Sequence, residues 1–375
     1  LRFFNFVLYS VAGVAIIFNG LVSYIFGEFA SEGFAVFFCI ALLIVYLGGK
    51  ITIYPSVIWA TVPVFFVIFL NFVFISANDE WYRLFFLYPY FIVLLLIFLM
   101  NSKSSVTHEK LMMLVRILVV ASCVSAVYAI LQKLGYGTTI PLETELRATG
   151  LSRTSLNLSG ILFNSLVIAV ICLPTLVEKN IAGFLLFVGL LSAGGRGSAI
   201  GALAFLIIYI YFNFKNKTDI YRVVSFFFLL FFVLLAILFL DSEVSRVFSA
   251  FNFISDQSNI DRFVSYAQFL DEFNIWGAGV GSTSPAVGRF SIFTGFESFF
   301  LNVLYEIGLP MFLLMAFGFV QFLFKIDTGV RRHFFIFTLG LLPMLLGQQM
   351  HNTPSVFAYT ILSYALISLK NKVDL

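Results

Sequence analysis

The chain of 375 residues is a succession of long apolar runs separated by short polar breaks. A soluble fold has no interior large enough for so many runs of this length, whereas about 20 apolar residues in a helix cross the hydrocarbon of a bilayer. Composition agrees: 61% of residues are hydrophobic and 11% charged, and the mean hydropathy is +1.03. Soluble domains carry about a quarter charged residues, so a soluble protein, a disordered tail and a fibrous repeat are all excluded. The net charge of +3 gives no reason to expect a nucleic-acid partner.

The runs lie at 3–26, 33–48, 51–76, 84–100, 110–133, 156–177, 181–194, 197–214, 221–241, 298–324, 333–348 and 355–370. The first is too long for a signal-peptide core and no cleavage pattern follows it, so it reads as a span. Twelve helices would take roughly 240 residues, which leaves one integral membrane domain over 1–375 and little else. The expected fold class is an all-α polytopic membrane protein with about 12 transmembrane helices.

Charge sorts by side. Breaks such as NSKSSVTHEK, KNKTDIYR and KIDTGVRR, with the tail KNKVDL and Arg2 and Arg116, place fourteen of the 22 Lys and Arg on one side. The positive-inside rule makes that side cytoplasmic, with both termini inside. The other side carries Lys133 and seven arginines: Arg83, Arg147, Arg153, Arg196, Arg246, Arg262 and Arg289. Lysine suffices to set topology, whereas the planar arginine fork matches phosphate bidentately. The skew points to an anionic ligand outside; pairing with outer carboxylates such as Asp256, Asp261, Asp271 and Glu272 is the plain alternative.

The two long loops, 134–155 and 242–297, fall on the arginine side, and long ordered loops in compact proteins usually carry function. Within the second, Ile260, Phe263, Ala267, Leu270 and Phe273 recur at helical spacing among polar residues. This predicts an amphipathic helix at the outer membrane surface, or simply a roof over the bundle.

Several motifs have competing readings. GAGVGS (277–282) has the glycines of a phosphate loop but no lysine, and reads more simply as a turn after the amphipathic helix. In SAGGRGSAIGALAFL, Gly197 and Gly201 form a small-xxx-small packing pair, which leaves Arg196 unaccounted for. In ESFFLNVLYEIGLP, Glu297 and Glu306 are nine residues apart, about 900° of helix, so they lie on opposite faces and form no carboxylate pair. Glu306 reads as a partner in a helix–helix hydrogen bond, and Glu297 as either a surface or a functional group. GQQMHNTP places His351 and Asn352 where they could hydrogen-bond sugar hydroxyls, or sit in a solvated loop. Cys39, Cys123 and Cys172 and the three histidines show no ligand spacing, so neither a metal site nor a cofactor is expected.

The ordered run GGRGSAIGAL, DRFVSYAQFLDEFNIWGAGVGS and ESFFLNVLYEIGLP, preceded by RATGLSRTSLNLSG, resembles the signature of the O-antigen polymerase and O-antigen ligase superfamily. The resemblance covers about 190–310, with 147–160 before it. It implies a GT-C-like architecture. It also implies that Arg196 and Arg262 engage a lipid diphosphate, with Arg147 a less certain match and no aligned counterpart for Arg153 or Arg289.

The ligase pattern has His-Asn ahead of the aromatic-Leu and Glu-x-Gly-Leu elements, here Phe300-Leu301 and Glu306 to Leu309. This chain has Glu297 and Ser298 at the His-Asn positions, a departure that resembles Wzy-type polymerases. The implied activity is metal-independent glycan transfer from undecaprenyl diphosphate to another lipid-linked repeat unit, at the periplasmic face of a bacterial inner membrane. Arg196 and Arg262 would stabilise the leaving diphosphate and Glu297 would be the base. Arg147, Arg153, Arg289, His351 and Asn352 would bind substrate. A polysaccharide chain-length regulator is an implied partner beside the substrate and membrane lipid. The alternatives are an O-antigen ligase and, from another class, a lipid-linked oligosaccharide flippase or other transporter, for which internal repeats and polar residues at mid-membrane are expected.

Overall fold

A computed structural model describes residues 10–11, 13–26, 55–77, 83, 86–101, 107–136, 148–213, 257–283, 298–325, 328–347 and 353–373. The spans expected at 33–48 and 221–241 lie outside them. The described chain forms α1 (Asn19–Phe26), α2 (Pro55–Ala77), α3 (Tyr88–Asn101), α4 (His108–Lys133), α5 (Ser155–Cys172), α6 (Leu176–Ser192), α7 (Arg196–Asn213), α8 (Gln257–Glu272), α9 (Phe299–Lys325), α10 (Thr328–Gly347) and α11 (Pro354–Val373). No strand occurs among the described residues. Of these helices α4, α5 and α9 are long and apolar enough to cross a membrane.

Two helix boundaries differ from those expected from hydropathy. The apolar run 156–177 is broken at 173–175, because Leu173 precedes Pro174 and is held extended. Thr175 then caps α6: its hydroxyl accepts from the Glu178 amide and the Glu178 carboxylate accepts from the Thr175 amide. Glu178 therefore belongs to a first helical turn, not a loop, and pairs with Arg116 at 2.9 Å. Similarly, α10 starts at Thr328 and takes in Arg331, Arg332 and His333. Charge makes a segment hydrophilic without stopping a helix, so apolar runs mark helix boundaries only where a breaker coincides with the charge.

α5 is the central helix. All of its residues except Leu156 and Val170 are buried, and α4, α6, α7 and α11 pack around it. Its polar residues tie it to its neighbours. The Ser165 hydroxyl lies 2.7 Å from that of Ser122 and 3.0 Å from that of Tyr359, and Asn164 donates to Thr360 at 2.9 Å. Such bonds hold helices together where there is little hydrophobic gain from packing. The second group, α2, α3 and α9, leaves Phe65, Phe69, Leu313 and Phe317 exposed on its outside.

α7 packs along α10, and the expected glycine pair supplies the close approach. A Cβ on Gly201 would collide with the Gly340 carbonyl oxygen, and one on Gly340 would sit 2.6 Å from Phe205 Cβ. Gly201→Val is expected to cost about 1–3 kcal/mol by overpacking. The melting temperature in detergent should fall accordingly. Gly183→Ala, whose added Cβ would meet Leu166 Cδ1 at an ordinary 3.7 Å, should leave it unchanged.

Candidate functional site

The starts of α5, α7, α9 and α11 gather at one end of the bundle, where Gly195 meets Ser159, Asn19 links the segment before α5 to Ser355, and Phe299 stacks on Phe357. This end carries Arg153 and Arg196. The segment that leads into α5 is pinned there from several sides. The amides of Thr149 and Gly150 donate to Gln132 Oε1 at 3.1 and 2.8 Å, and that of Leu151 donates to Ser125 Oγ at 3.1 Å. Ser152 Oγ donates to the Ile17 carbonyl at 3.2 Å. The Arg153 amide donates to Asn19 Oδ1 at 2.8 Å, and Asn19 Nδ2 donates in turn to Ser355 Oγ at 2.8 Å. Thr154 then caps α5 by accepting from the Asn157 amide at 3.1 Å.

Arg196 is the first residue of α7, half-buried, and follows Gly194 and Gly195. Gly195 lies so close to Ser159 that a Cβ would collide with its hydroxyl, and Ser198 Oγ donates to Ser159 Oγ at 3.3 Å. α7 thus begins against the first turns of α5: Ser155 and Ser159 are about 6 Å apart along the axis. Arg153 and Arg196 consequently share one region, among buried Ser155, Asn157, Ser159, Ser198 and Ser355. The starts of α5, α7 and α11 add the positive ends of their helix dipoles. Two arginines at neighbouring helix starts are the residue type and backbone setting suited to a phosphate-type anion.

Arg147, Arg289, Glu297, His351 and Asn352 lie outside the described residues, so the structure does not place them. Glu297 directly precedes Ser298, which is buried at the start of α9. For Arg262 only its place in α8 is described. It falls one turn ahead of Tyr266 and two turns ahead of Phe269. The Tyr266 hydroxyl reaches the Leu346 carbonyl at 3.5 Å and Phe269 is buried. Of the expected stripe, Ile260, Phe263 and Leu270 are exposed, as is Ala267. On α8 Phe269 is buried and Tyr266 half-buried.

GAGVGS is no phosphate cradle, because its amides are already committed. Near it α9 breaks: Gly308 has φ 76° and ψ 165°, and Pro310 has no N–H to offer. In an unbroken helix the Tyr305 carbonyl would accept from Leu309 and the Glu306 carbonyl from residue 310. Here Ala278 donates to Tyr305 O at 2.8 Å and Gly279 to Glu306 O at 2.9 Å, while Leu309 donates to Ile275 O at 2.9 Å. The loop replaces, bond by bond, what the broken helix has lost. Buried irregular backbone is tolerated only when its polar groups are satisfied in this way.

Other groups hold the same loop. Asn71 Oδ1 accepts from the Val280 amide at 3.0 Å, Arg83 Nη1 donates to the Ala278 carbonyl at 3.3 Å, and the Phe86 ring covers Gly281. Glu306 Oε1 accepts from Thr283 Oγ1 at 2.6 Å and from the Thr283 amide at 3.4 Å. Glu306 is therefore bonded to a loop and not, as expected, to another helix. Sequence reasoning missed Asn19, Asn71, Asn157 and Thr283. The available signal was a polar residue at or inside an apolar run, but its partner lies far away in the chain.

An apolar cavity of about 330 Å³ opens between α2, α3, α9, α10 and α11, with Phe300, Val303, Phe322, Leu341 and Glu306 among its walls. Two further walls, Phe299 and Phe357, stack at 6.5 Å between ring centroids in the first turns of α9 and α11, so the cavity reaches the arginine end.

Comparison with family models and with curated proteins gives no match for this chain.

Proposed function

We propose that the chain is a glycosyltransferase of the O-antigen polymerase kind, with about 12 transmembrane helices in a GT-C-like arrangement. It transfers a glycan from undecaprenyl diphosphate to a hydroxyl of another lipid-linked repeat unit, at the periplasmic face of a bacterial inner membrane. The observation that carries this reading is that the segment bearing Arg153 and the start of α7 bearing Arg196 are held at the same end of the bundle, where α11 also begins. Arg196 belongs to a motif of the resemblance, and Arg153 lies in the segment that precedes it, without an aligned counterpart. The apolar cavity that reaches the same end offers a bed for a prenyl chain.

In the reaction the bond between the anomeric carbon and the diphosphate oxygen breaks, and the electron pair leaves with the diphosphate. The acceptor oxygen bonds to that carbon from the opposite side, inverting its configuration, and gives its proton to Glu297. Arg196 and Arg262 stabilise the charge on the departing diphosphate, while Arg147, Arg153, Arg289, His351 and Asn352 hold donor and acceptor. Fixed cationic groups need no reorganisation as that charge develops, which is why such stabilisation is worth several kcal/mol.

The test is extension of purified lipid-linked repeat units by the purified protein. In cells, deletion of a polymerase leaves one repeat unit attached to lipid A-core, whereas deletion of a ligase leaves none. Glu297→Gln is expected to lower extension by about 10²–10⁴-fold, the span of general-base contributions. Arg246→Ala, with no part in this reading, should preserve the ladder. A full ladder from Glu297→Gln would remove it as the base.

A further inference from the structure

Glu306 is a buried carboxyl group in a motif of the resemblance, which makes it an obvious second candidate for a base. The geometry points to a different role: we infer that Glu306 is a positioning residue, a latch that holds the loop 277–283 inside the bundle and with it the end of α8. The inference rests on the proposed transfer for its consequence in activity, though the latch itself does not.

Glu306 faces donors from the loop on one side: the Thr283 hydroxyl at 2.6 Å, the Thr283 amide at 3.4 Å, and the Gly281 amide. A carboxyl group accepting several such bonds is well matched to a concave run of amides. Its own backbone carbonyl takes the Gly279 amide, so residue 306 clasps the loop through main chain and side chain together. The loop begins shortly after α8, which bears Arg262, and the segment that follows it leads to Glu297 and α9. A loop held at 277–283 therefore fixes the spacing between the element carrying a proposed diphosphate ligand and the helix start beside the proposed base. Orientation errors of about 1 Å at a reacting centre can cost about 10²-fold in rate.

A base and a latch respond differently to the same substitutions. Glu306→Gln removes proton acceptance but keeps an oxygen for Thr283, so a latch retains most activity, within about fivefold, while Glu306→Leu loses about 50-fold or more. Thr283→Ser should behave like the parent and Thr283→Val like Glu306→Leu. Loop position is read separately. With Cys39, Cys123 and Cys172 replaced by alanine and Ser282→Cys introduced, the rate of labelling by a membrane-impermeant maleimide reports opening, since Ser282 Oγ is buried. The leucine and valine variants should label about tenfold faster than the parent, and the glutamine and serine variants at the parent rate. Labelling that stays slow in both Glu306→Leu and Thr283→Val overturns the latch. So does Glu306→Gln that is as inactive as Glu306→Leu with the loop still closed. If the parent extends no lipid-linked repeat, the proposed function falls, and the labelling rates still decide the latch.

Discussion

Arg196→Ala is expected to abolish the long-chain ladder while leaving the single-repeat band, with extension by the purified protein slowed by about 10²–10³-fold. That is the loss typical of removing one preorganised donor to a developing anion, about 3–4 kcal/mol of transition-state stabilisation. The physical reason lies in its position. Arg196 opens α7 on a pair of glycines that let the helix start sit against Ser159 of α5, where amides of neighbouring helix N-termini already favour negative charge. Arg196→Lys keeps the charge and loses the planar fork, so it should recover only part of the rate, about tenfold above alanine. Arg116→Ala, which breaks an ion pair with Glu178 at the far end of the bundle, should extend at the parent rate. Equal amounts of protein in the membrane must be shown for each. If Arg196→Ala extends normally, Arg196 has no part in catalysis and the proposed site loses its best-placed residue.

The largest expected loss of stability comes from Gly308→Val. Its φ of 76° is unfavourable for a β-branched side chain, and an added Cβ would run into the Trp276 carbonyl carbon and, at 2.6 Å, the Ile275 carbonyl oxygen. Loop and helix would have to part, exposing the carbonyls of Tyr305 and Glu306 that the loop now satisfies. A loss of about 4 kcal/mol or more is expected, read as a marked fall in melting temperature in detergent or as failure to accumulate. Gly135→Ala separates the two causes. It also has positive φ, at 82°, but nothing lies within 4 Å of an added Cβ, so only the backbone cost of about 1 kcal/mol applies. Equal losses from both substitutions would mean that backbone conformation, and not the clasp, sets the cost at 308.

Some of the setting of Arg196 was legible in the residues, and the illegible part has a common cause. Arg196 stood out because a cation inside an apolar stretch has few places to go. Gly197 and Gly201 were recognisable as a packing pair, and the Gly201 contact with α10 bears this out. Asn71 and Thr283 were unremarkable, since a polar side chain in or near a span has meaning only through its partner, which here is 209 or 23 residues away in the chain. GAGVGS misled in the same way. Glycine-rich loops expose amides, and whether those amides await a phosphate or a broken helix depends on what folds beside them.

Composition and local order alone determined that the chain is helical and apolar enough for a membrane, roughly where each described helix runs, and that a polar amphipathic helix interrupts the series. Those properties follow from backbone hydrogen bonding and from transfer of apolar surface, both of which act over a turn or two of chain. The tertiary structure decided the rest. It made α5 the centre, which periodicity cannot reveal for a helix whose apolar residues favour no one face. It buried Phe269 of α8, broke α9 at Gly308 around the glycine loop, and brought the start of α7, which bears Arg196, against the first turns of α5. Each of these is a pairing between distant segments, and only close packing selects one such pairing from the many that the same apolar pattern allows.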